Sequence, residues 1–402
     1  MKMIFQVILA LLIGVVAGII TGLTPGIHVN LISLLLLSSA PVLVRFFNLT
    51  SLAIFIIAMS ITHTFLDSIP SIYLGAPDSD MALGVLPGHR YLLKGHGYAA
   101  VKLTLIGSLG AIILSILLFP LLIPVVKHGY PLIETYMGYF LLLVALFMIL
   151  RDKQKLWALI VFLLSGTLGL IVLSMPNLSN PLFPMLSGLF GISTLIISLL
   201  RRESLPAQIT IKETPLDKKK TIKALVSGQA SGFLTAVFPG LGAATAAVIS
   251  LQFTKKLGDH GFMILIGAIN TVNFTLSLLT LLVLGKARNG AVITVQKLLE
   301  NITLAHILLF LCTALIAGGT AFILGMLISR GFSKLIMKVN YRVLVLGIIS
   351  FIFILTIILC NPLGLLILVV STAIGLIPPE KKLPRVHSMG CLLVPIITYF
   401  LI

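Results

Sequence analysis

Gly18-Ile-Ile-Thr21-Gly22-Leu-Thr24-Pro25-Gly26-Ile-His28 decides how this chain folds, because the sequence repeats it as Gly232-Phe-Leu-Thr235-Ala-Val-Phe238-Pro239-Gly240-Leu-Gly242. Gly18, Thr21, Pro25 and Gly26 fall on Gly232, Thr235, Pro239 and Gly240 at a constant offset of 214 positions. Both copies lie inside long apolar runs. Proline removes a helical hydrogen bond and the glycine after it tolerates positive φ, so each copy is expected to break a helix at the same step.

Around the two copies the composition is extreme: 58% of the 402 residues are apolar and 10% charged, with mean hydropathy +1.17. A soluble domain carries about 25% charged residues. The chain is therefore expected to be an all-α polytopic protein, multi-pass in the cell membrane and surrounded by membrane lipid. Apolar windows of about 20 residues recur along almost its whole length. They leave no room for a soluble catalytic domain, so an enzyme is not expected. The net charge of +17 would suggest nucleic acid in a soluble protein. Here Lys and Arg sit in short loops where they set orientation, and no nucleic-acid partner is expected. Cys312, Cys360 and Cys391 are far apart in apolar segments and read as small buried side chains. The run after Met1-Lys2 has the length and charge of a signal peptide, but its removal would damage one copy of the motif, so it is expected to stay.

Apolar segments fall near 3–22, 27–44, 50–66, 98–126, 132–150, 155–174 and 182–200, with a shorter mixed stretch at 69–94. A basic cytoplasmic linker over 201–222 separates a first membrane repeat, 1–200, from a second, 223–402. The second holds segments near 223–238, 241–257, 262–284, 303–330, 341–359, 362–378 and 388–402, with a mixed stretch at 286–300. A second landmark, Leu74-Gly75, aligns with Leu284-Gly285 at an offset of 210. Repeated halves with interrupted helices are a signature of secondary transporters.

Basic loops are expected inside: the linker, Arg151-Asp-Lys-Gln-Lys155, and 330–342 with Arg330, Lys334, Lys338 and Arg342. The uncharged turns Met175 to Pro181 and Cys360-Asn-Pro-Leu-Gly364 are expected outside. If each Pro-Gly pair and each mixed stretch is a re-entrant hairpin, each half crosses an odd number of times. The repeats are then inverted in topology, with both termini outside.

Irregular backbone in a bilayer is tolerated only around a cavity or buried in protein. Broken helix ends present amides to anions and carbonyls to cations. Thr24, Pro25, Gly26 and His28 in one copy, and Pro239, Gly240 and Gly242 in the other, are thus candidate substrate-binding residues facing each other across a pseudo-two-fold axis. Lys286 and Arg288, after Leu284-Gly285, suit an anionic substrate, or else are solvated loop charges. His63 and Asp67 lie one turn apart on one helix face, and ionisable groups in apolar spans read as functional; they are the candidates for ion coupling, or a structural pair. Asn270 and Asn273 add amide oxygens at the next helical spacing, for a cation or for bonding between helices. No further His or acid completes a metal site at fitting spacing. No cofactor is expected beyond Na⁺ or H⁺ as coupling ion.

At these residues the chain resembles the large permease subunit of the tripartite tricarboxylate transporters. The likeness runs from Gly18-x-x-x-Gly22-x-x-Pro25-Gly26 through Ser71-Ile-Tyr-Leu-Gly75-Ala-Pro77 and Lys94-Gly95-His-Gly97. It continues in Gly166-Thr-Leu-Gly169 and Pro184-Met-Leu-Ser-Gly188, and then in Gly232 to Gly242, Ala268 to Asn273 and Leu284-Gly285. His28 stands where that family usually offers glycine, and Leu284-Gly285-Lys-Ala-Arg288 replaces its Gly-Ile-Pro-Gly-like tip. The resemblance implies a permease that works with a small membrane subunit and an extracytoplasmic binding protein. The resulting expectation is a secondary active transporter for a small organic anion, a di- or tricarboxylate, coupled to Na⁺ or H⁺. The alternative is a flippase for a phosphorylated polyprenyl lipid, which would use the same cradle with a lateral opening. A homodimer is compatible with either.

Overall fold

The computed structural model describes residues 2–24, 33, 36, 43–45, 47–75, 81, 83, 85–176, 178, 180–200, 206–209, 217–237, 243–254, 257–299, 301–338 and 340–402. The first half contributes α1 (Lys2–Leu23), α2 (Leu49–Leu66), α3 (Ser68–Tyr73), α4 (Val85–Leu93), α5 (Gly97–Glu134), α6 (Met137–Leu150), α7 (Lys155–Leu173) and α8 (Leu182–Leu200). The second contributes α9 (Lys218–Val237), α10 (Ala243–Phe253), α11 (Gly258–Leu284), α12 (Gly290–Leu299), α13 (Leu304–Ile336), α14 (Tyr341–Glu380) and α15 (Gly390–Leu401). No strand occurs among the described residues, and 8 helices there are long and apolar enough to cross a membrane. Polar caps start several of them where loops were expected: Asn48 for α2, Thr303 for α13 and Asn340 for α14 each accept a backbone N–H of the first turn.

Two spans are interior. The apolar window of α11 is 94% buried and that of the α2–α3 run 83%, against 28% for α1, α5 and α14. The outer helices therefore present apolar side chains to lipid, while α2 and α11 have protein on every side. Cys312 departs from expectation, being exposed on α13, whereas Cys360 and Cys391 are buried.

Close approach through glycine sets this packing, and it follows the repeat. On α1, Gly14 and Gly18 lie against α2: a Cβ on Gly14 would stand 2.6 Å from Phe55 O, and one on Gly18 2.6 Å from Met59 O and 2.5 Å from Thr62 Cβ. On α9, Gly228 and Gly232 meet α11 in the same way, at Leu265 O (3.3 Å), Ile269 O (3.2 Å) and Val272 Cβ (2.5 Å). Gly14 and Gly228 keep the 214 offset, and their targets keep the 210 offset. Small residues let membrane helices touch through backbone, where lipid offers no hydrophobic driving force. Gly75 and Gly285, also a pair at 210, both take the left-handed conformation with φ of 64° at the ends of their helices.

Three elements differ from the sequence reading. The break expected between 126 and 132 is absent: α5 continues through Lys127-His128-Gly129, with Pro120, Pro124 and Pro131 inside it. Prolines are accommodated in membrane helices where neighbours satisfy the freed carbonyls. The mixed stretch at 286–300 forms a helix of its own, α12. The expected turn at 360–364 shrinks to Asn361 alone, at φ 59° and ψ 179°. Gly364 is folded back to within 3.6 Å of Thr356 O, measured from a Cβ built on it, so α14 is a helical hairpin with two arms.

The linker meets the loop over 330–342 and the turn at Gly95, and the basic loop over 151–155 meets the turn at 381–387. Gln208 N donates to Met337 S at 3.1 Å, Ile209 N to Gly95 O at 2.7 Å, Gln154 Nε2 to Lys381 O at 2.9 Å, and His387 Nε2 lies 3.0 Å from Asp152. At the other end Asn180 Nδ2 reaches Leu359 O at 3.5 Å and Cys360 S reaches Asn180 O at 3.6 Å.

Candidate functional site

Where α1, α2 and α11 meet, the apolar interior is interrupted by a polar cluster. The last turn of α2 carries His63, and the Asp67 N–H donates to His63 O at 2.9 Å, so helical geometry sets the two side chains one turn apart. His63 Nδ1 lies 3.2 Å from Thr21 Oγ1. The Thr21 hydroxyl also lies 3.3 Å from Gly18 O, so Thr21 stands between the backbone of its own helix and the imidazole. Thr21 belongs to the repeated motif, so the imidazole is tied to the helix end that leads into Pro25.

Asp67 points the other way. Its Oδ2 accepts from Asn270 Nδ2 at 2.9 Å, and the same amide stands 3.5 Å from Thr64 O. His63 and Asp67 are each 3% exposed and Asn270 2%, so the bond crosses from first half to second in the protein interior. An acid buried in a membrane bundle is costly and is kept where partners hold it. One hydrogen bond to a charged group returns about 1.5–3 kcal/mol.

The twin positions do different work. Asn273 aligns with His63 at the 210 offset and is half-buried one turn beyond Asn270. Ser277 aligns with Asp67, and its Oγ accepts the backbone N–H groups of Arg288 and Asn289, each at 2.9 Å. It fastens the turn after Gly285. Arg288 then donates Nη2 to Tyr130 Oη at 2.6 Å and stacks over that ring at 5.8 Å, while Lys286 is exposed. Seven residues of helix separate Ser277 from Asn270, about 10 Å of rise, so the described contacts place the two cations in a separate cluster from His63 and Asp67.

Of the remaining candidates, Thr24 donates its hydroxyl to Ile20 O at 2.7 Å. Pro25, Gly26, His28, Pro239, Gly240 and Gly242 lie outside the described residues. Sequence reasoning passed over Thr21 as a ligand of His63, Ser277 as a clamp and Tyr130 as the partner of Arg288. The first two carried a signal: Thr21 is one of four identities between the copies, and Ser277 sits 210 positions after Asp67.

In a comparison with known families, the model of the tripartite tricarboxylate transporter TctA family matches residues 8–390. The chain belongs to that family. It is 31% identical over 403 positions to an uncharacterized protein of Methanocaldococcus jannaschii, covering 98% of this chain and 99% of that relative. No solved structure matches it. TctA-family proteins are multi-pass membrane transporters and not enzymes, and the family supplies the large subunit of a tripartite system, which implies partner subunits.

Proposed function

We propose that this TctA-family chain is the permease of a secondary active transporter for a di- or tricarboxylate, coupled to Na⁺ or H⁺ at His63, Asp67 and Asn270. The Asp67 to Asn270 bond carries the reading: it is an acid buried in a membrane bundle, bonded across the interface of the two halves, where binding of an ion can be felt by both. The Pro-Gly steps at Pro25 and Pro239, where the sequence leads us to expect helix breaks, are the proposed cradle for the carboxylates. Arg288 and Lys286 raise the local anion concentration. A small membrane subunit and an extracytoplasmic binding protein complete the system.

We read the two halves as inverted in topology, which would suit alternating access between them. The twin turns lie at opposite ends of α5: Tyr73, one residue before Leu74-Gly75, touches Gly97 at the first residue of α5, while Arg288, just after Gly285, bonds Tyr130 near its last turn. Neither the family nor the described contacts favour movement of a phosphorylated polyprenyl lipid.

The test is uptake of labelled citrate and succinate into proteoliposomes under an imposed Na⁺ or H⁺ gradient. Accumulation that depends on one gradient and disappears in Asp67→Asn supports the proposal. Uptake no greater than in empty vesicles, with the binding protein supplied, overturns it.

A further inference from the structure

A second polar feature lies apart from the Asp67 cluster, at the end of the bundle where the basic loops gather. A cavity of about 690 Å³ opens between the halves, within the roughly 300–1,000 Å³ of small-ligand sites. Its ionisable lining is Arg90 from α4, Arg151 from the α6–α7 loop, Arg385 from the turn before α15, and Asp259 from the first turn of α11. Asp259 is taken by Arg90, at 2.6 Å from its Nη2. The lining therefore carries three guanidiniums against one carboxylate.

Arg385 is the unusual member. It is 7% exposed, and its Nη1 is held by Leu189 O at 3.1 Å and Ser193 Oγ at 2.6 Å. Leu189 lies in a π-helical stretch of α8, Ser187–Ile192, whose wide turn leaves carbonyls for an outside donor; such bulges occur often at functional sites. The buried Nε–H of Arg385 has no hydrogen-bond partner among the described residues. A buried cation without a countercharge is costly, and an oxyanion in the cavity would relieve that cost. Gly258, left-handed at φ 65° with open space around its missing side chain, opens α11 onto the same cavity, adding the positive end of a 27-residue helix. Asp152 and His387, close to Arg151 and Arg385 in the chain, are engaged with one another at 3.0 Å.

We propose that this cavity is a polycarboxylate site at the cytoplasmic end of the permeation path, in which Arg151 and Arg385 hold carboxylates of a di- or tricarboxylate while the Arg90–Asp259 bridge closes its side between α4 and α11. It rests on the transporter reading for its ligand class, and Arg151 is its exposed, replaceable contact.

Binding of labelled citrate and succinate to the purified full-length protein tests it, with acetate and inorganic phosphate as competitors. Arg151→Gln is expected to weaken citrate binding by about fivefold or more with the thermal midpoint unchanged, and Arg385→Lys, which keeps the charge and loses the fork, to weaken it also. Acetate competes poorly, and phosphate competing as well as succinate would show a general anion site and overturn the polycarboxylate assignment. Citrate affinity unchanged in Arg151→Gln overturns the site, as does absence of binding to the wild type. Asp67→Asn separates the two readings: it abolishes gradient-driven uptake but leaves citrate binding at the arginines. A chain that transports nothing and still binds citrate through Arg151 would sink the transport reading alone.

Discussion

Asn270 donates its side-chain amide to Asp67 Oδ2 across 2.9 Å, joining the two most deeply buried helical runs of the protein from opposite halves of the sequence. Removing the donor leaves the carboxylate in place without one of its partners. Asn270→Ala should cost about 1–3 kcal/mol at the site; a carboxylate that loses a donor holds a proton or cation more tightly, so the concentration of coupling ion needed for half-maximal uptake should fall by about tenfold. Asp67→Asn removes the ionisable group itself, so facilitated exchange of anion survives while accumulation against a gradient stops. Accumulation at wild-type level in Asp67→Asn would refute the coupling role.

The glycine contacts give a prediction about folding that is independent of transport. Gly18→Val and Gly232→Val each place branched carbons where Thr62 Cβ or Val272 Cβ already stands within 2.5 Å of a single Cβ. Each should lower stability by about 1–3 kcal/mol, seen as a reduced thermal midpoint in detergent and loss of the monodisperse peak. Gly331→Val, at a glycine with open space around it, is the control that should leave both unchanged.

These features differ in how far the sequence displayed them. The Pro-Gly duplication and the Leu-Gly pair announce themselves by identity at fixed offsets, and their helical surroundings follow from apolar length alone. His63 and Asp67 could be placed on one face because four residues make about one turn. Their partners could not: Thr21 and Asn270 lie 42 and 203 residues away, and only packing of α1 and α11 on α2 brings them in. Arg288 looked free for substrate because its claim on Tyr130, 158 residues distant, leaves no local trace. The continuation of α5 past Lys127-His128-Gly129 misled for the opposite reason, since polar residues and prolines that punctuate a soluble chain are carried within a long membrane helix.

The contact between Arg288 and Tyr130 separates an anion-attracting role from a structural one. Tyr130→Phe removes the 2.6 Å bond but keeps the ring beneath the guanidinium, a contact worth about 0.5–2 kcal/mol for a part-buried pair. It should leave the KM for anion nearly unchanged. Arg288→Gln removes the charge and should raise that KM severalfold with little change in maximal rate. Equal effects of the two substitutions would show that Arg288 matters only as a brace.

Asp152 provides a pH-dependent element at the basic end. Burial acts to raise its pKa, but the N–H of Gln154, bonded at 2.9 Å, and the imidazole of His387 outweigh it and hold the carboxyl below its usual value. A carboxyl depressed in the folded state contributes stability above its unfolded pKa of about 3.9, and that contribution disappears as pH falls through the lower folded value. Asp152→Asn should therefore lower the thermal midpoint at pH 7 and show a shallower decline than the wild type on acidification below pH 4. Parallel pH curves for the two proteins would remove Asp152 from the account.

Inverted halves make a demand on accessibility that parallel halves do not. Lys94 is exposed at the turn that receives the linker through Gly95, whereas Lys286 is exposed at the turn beside Tyr130, at the far end of α5. With Cys312, Cys360 and Cys391 each replaced by Ala, Lys94→Cys should react with a membrane-impermeant thiol reagent only in inside-out vesicles, and Lys286→Cys only in right-side-out ones. The basic loops fix which end is which, because Lys and Arg near the ends of spans are retained in the cytoplasm. Labelling of both cysteines from one side would mean that α5 does not cross the bilayer between them, and the pseudo-two-fold relation between the Pro25 and Pro239 steps would fall with it.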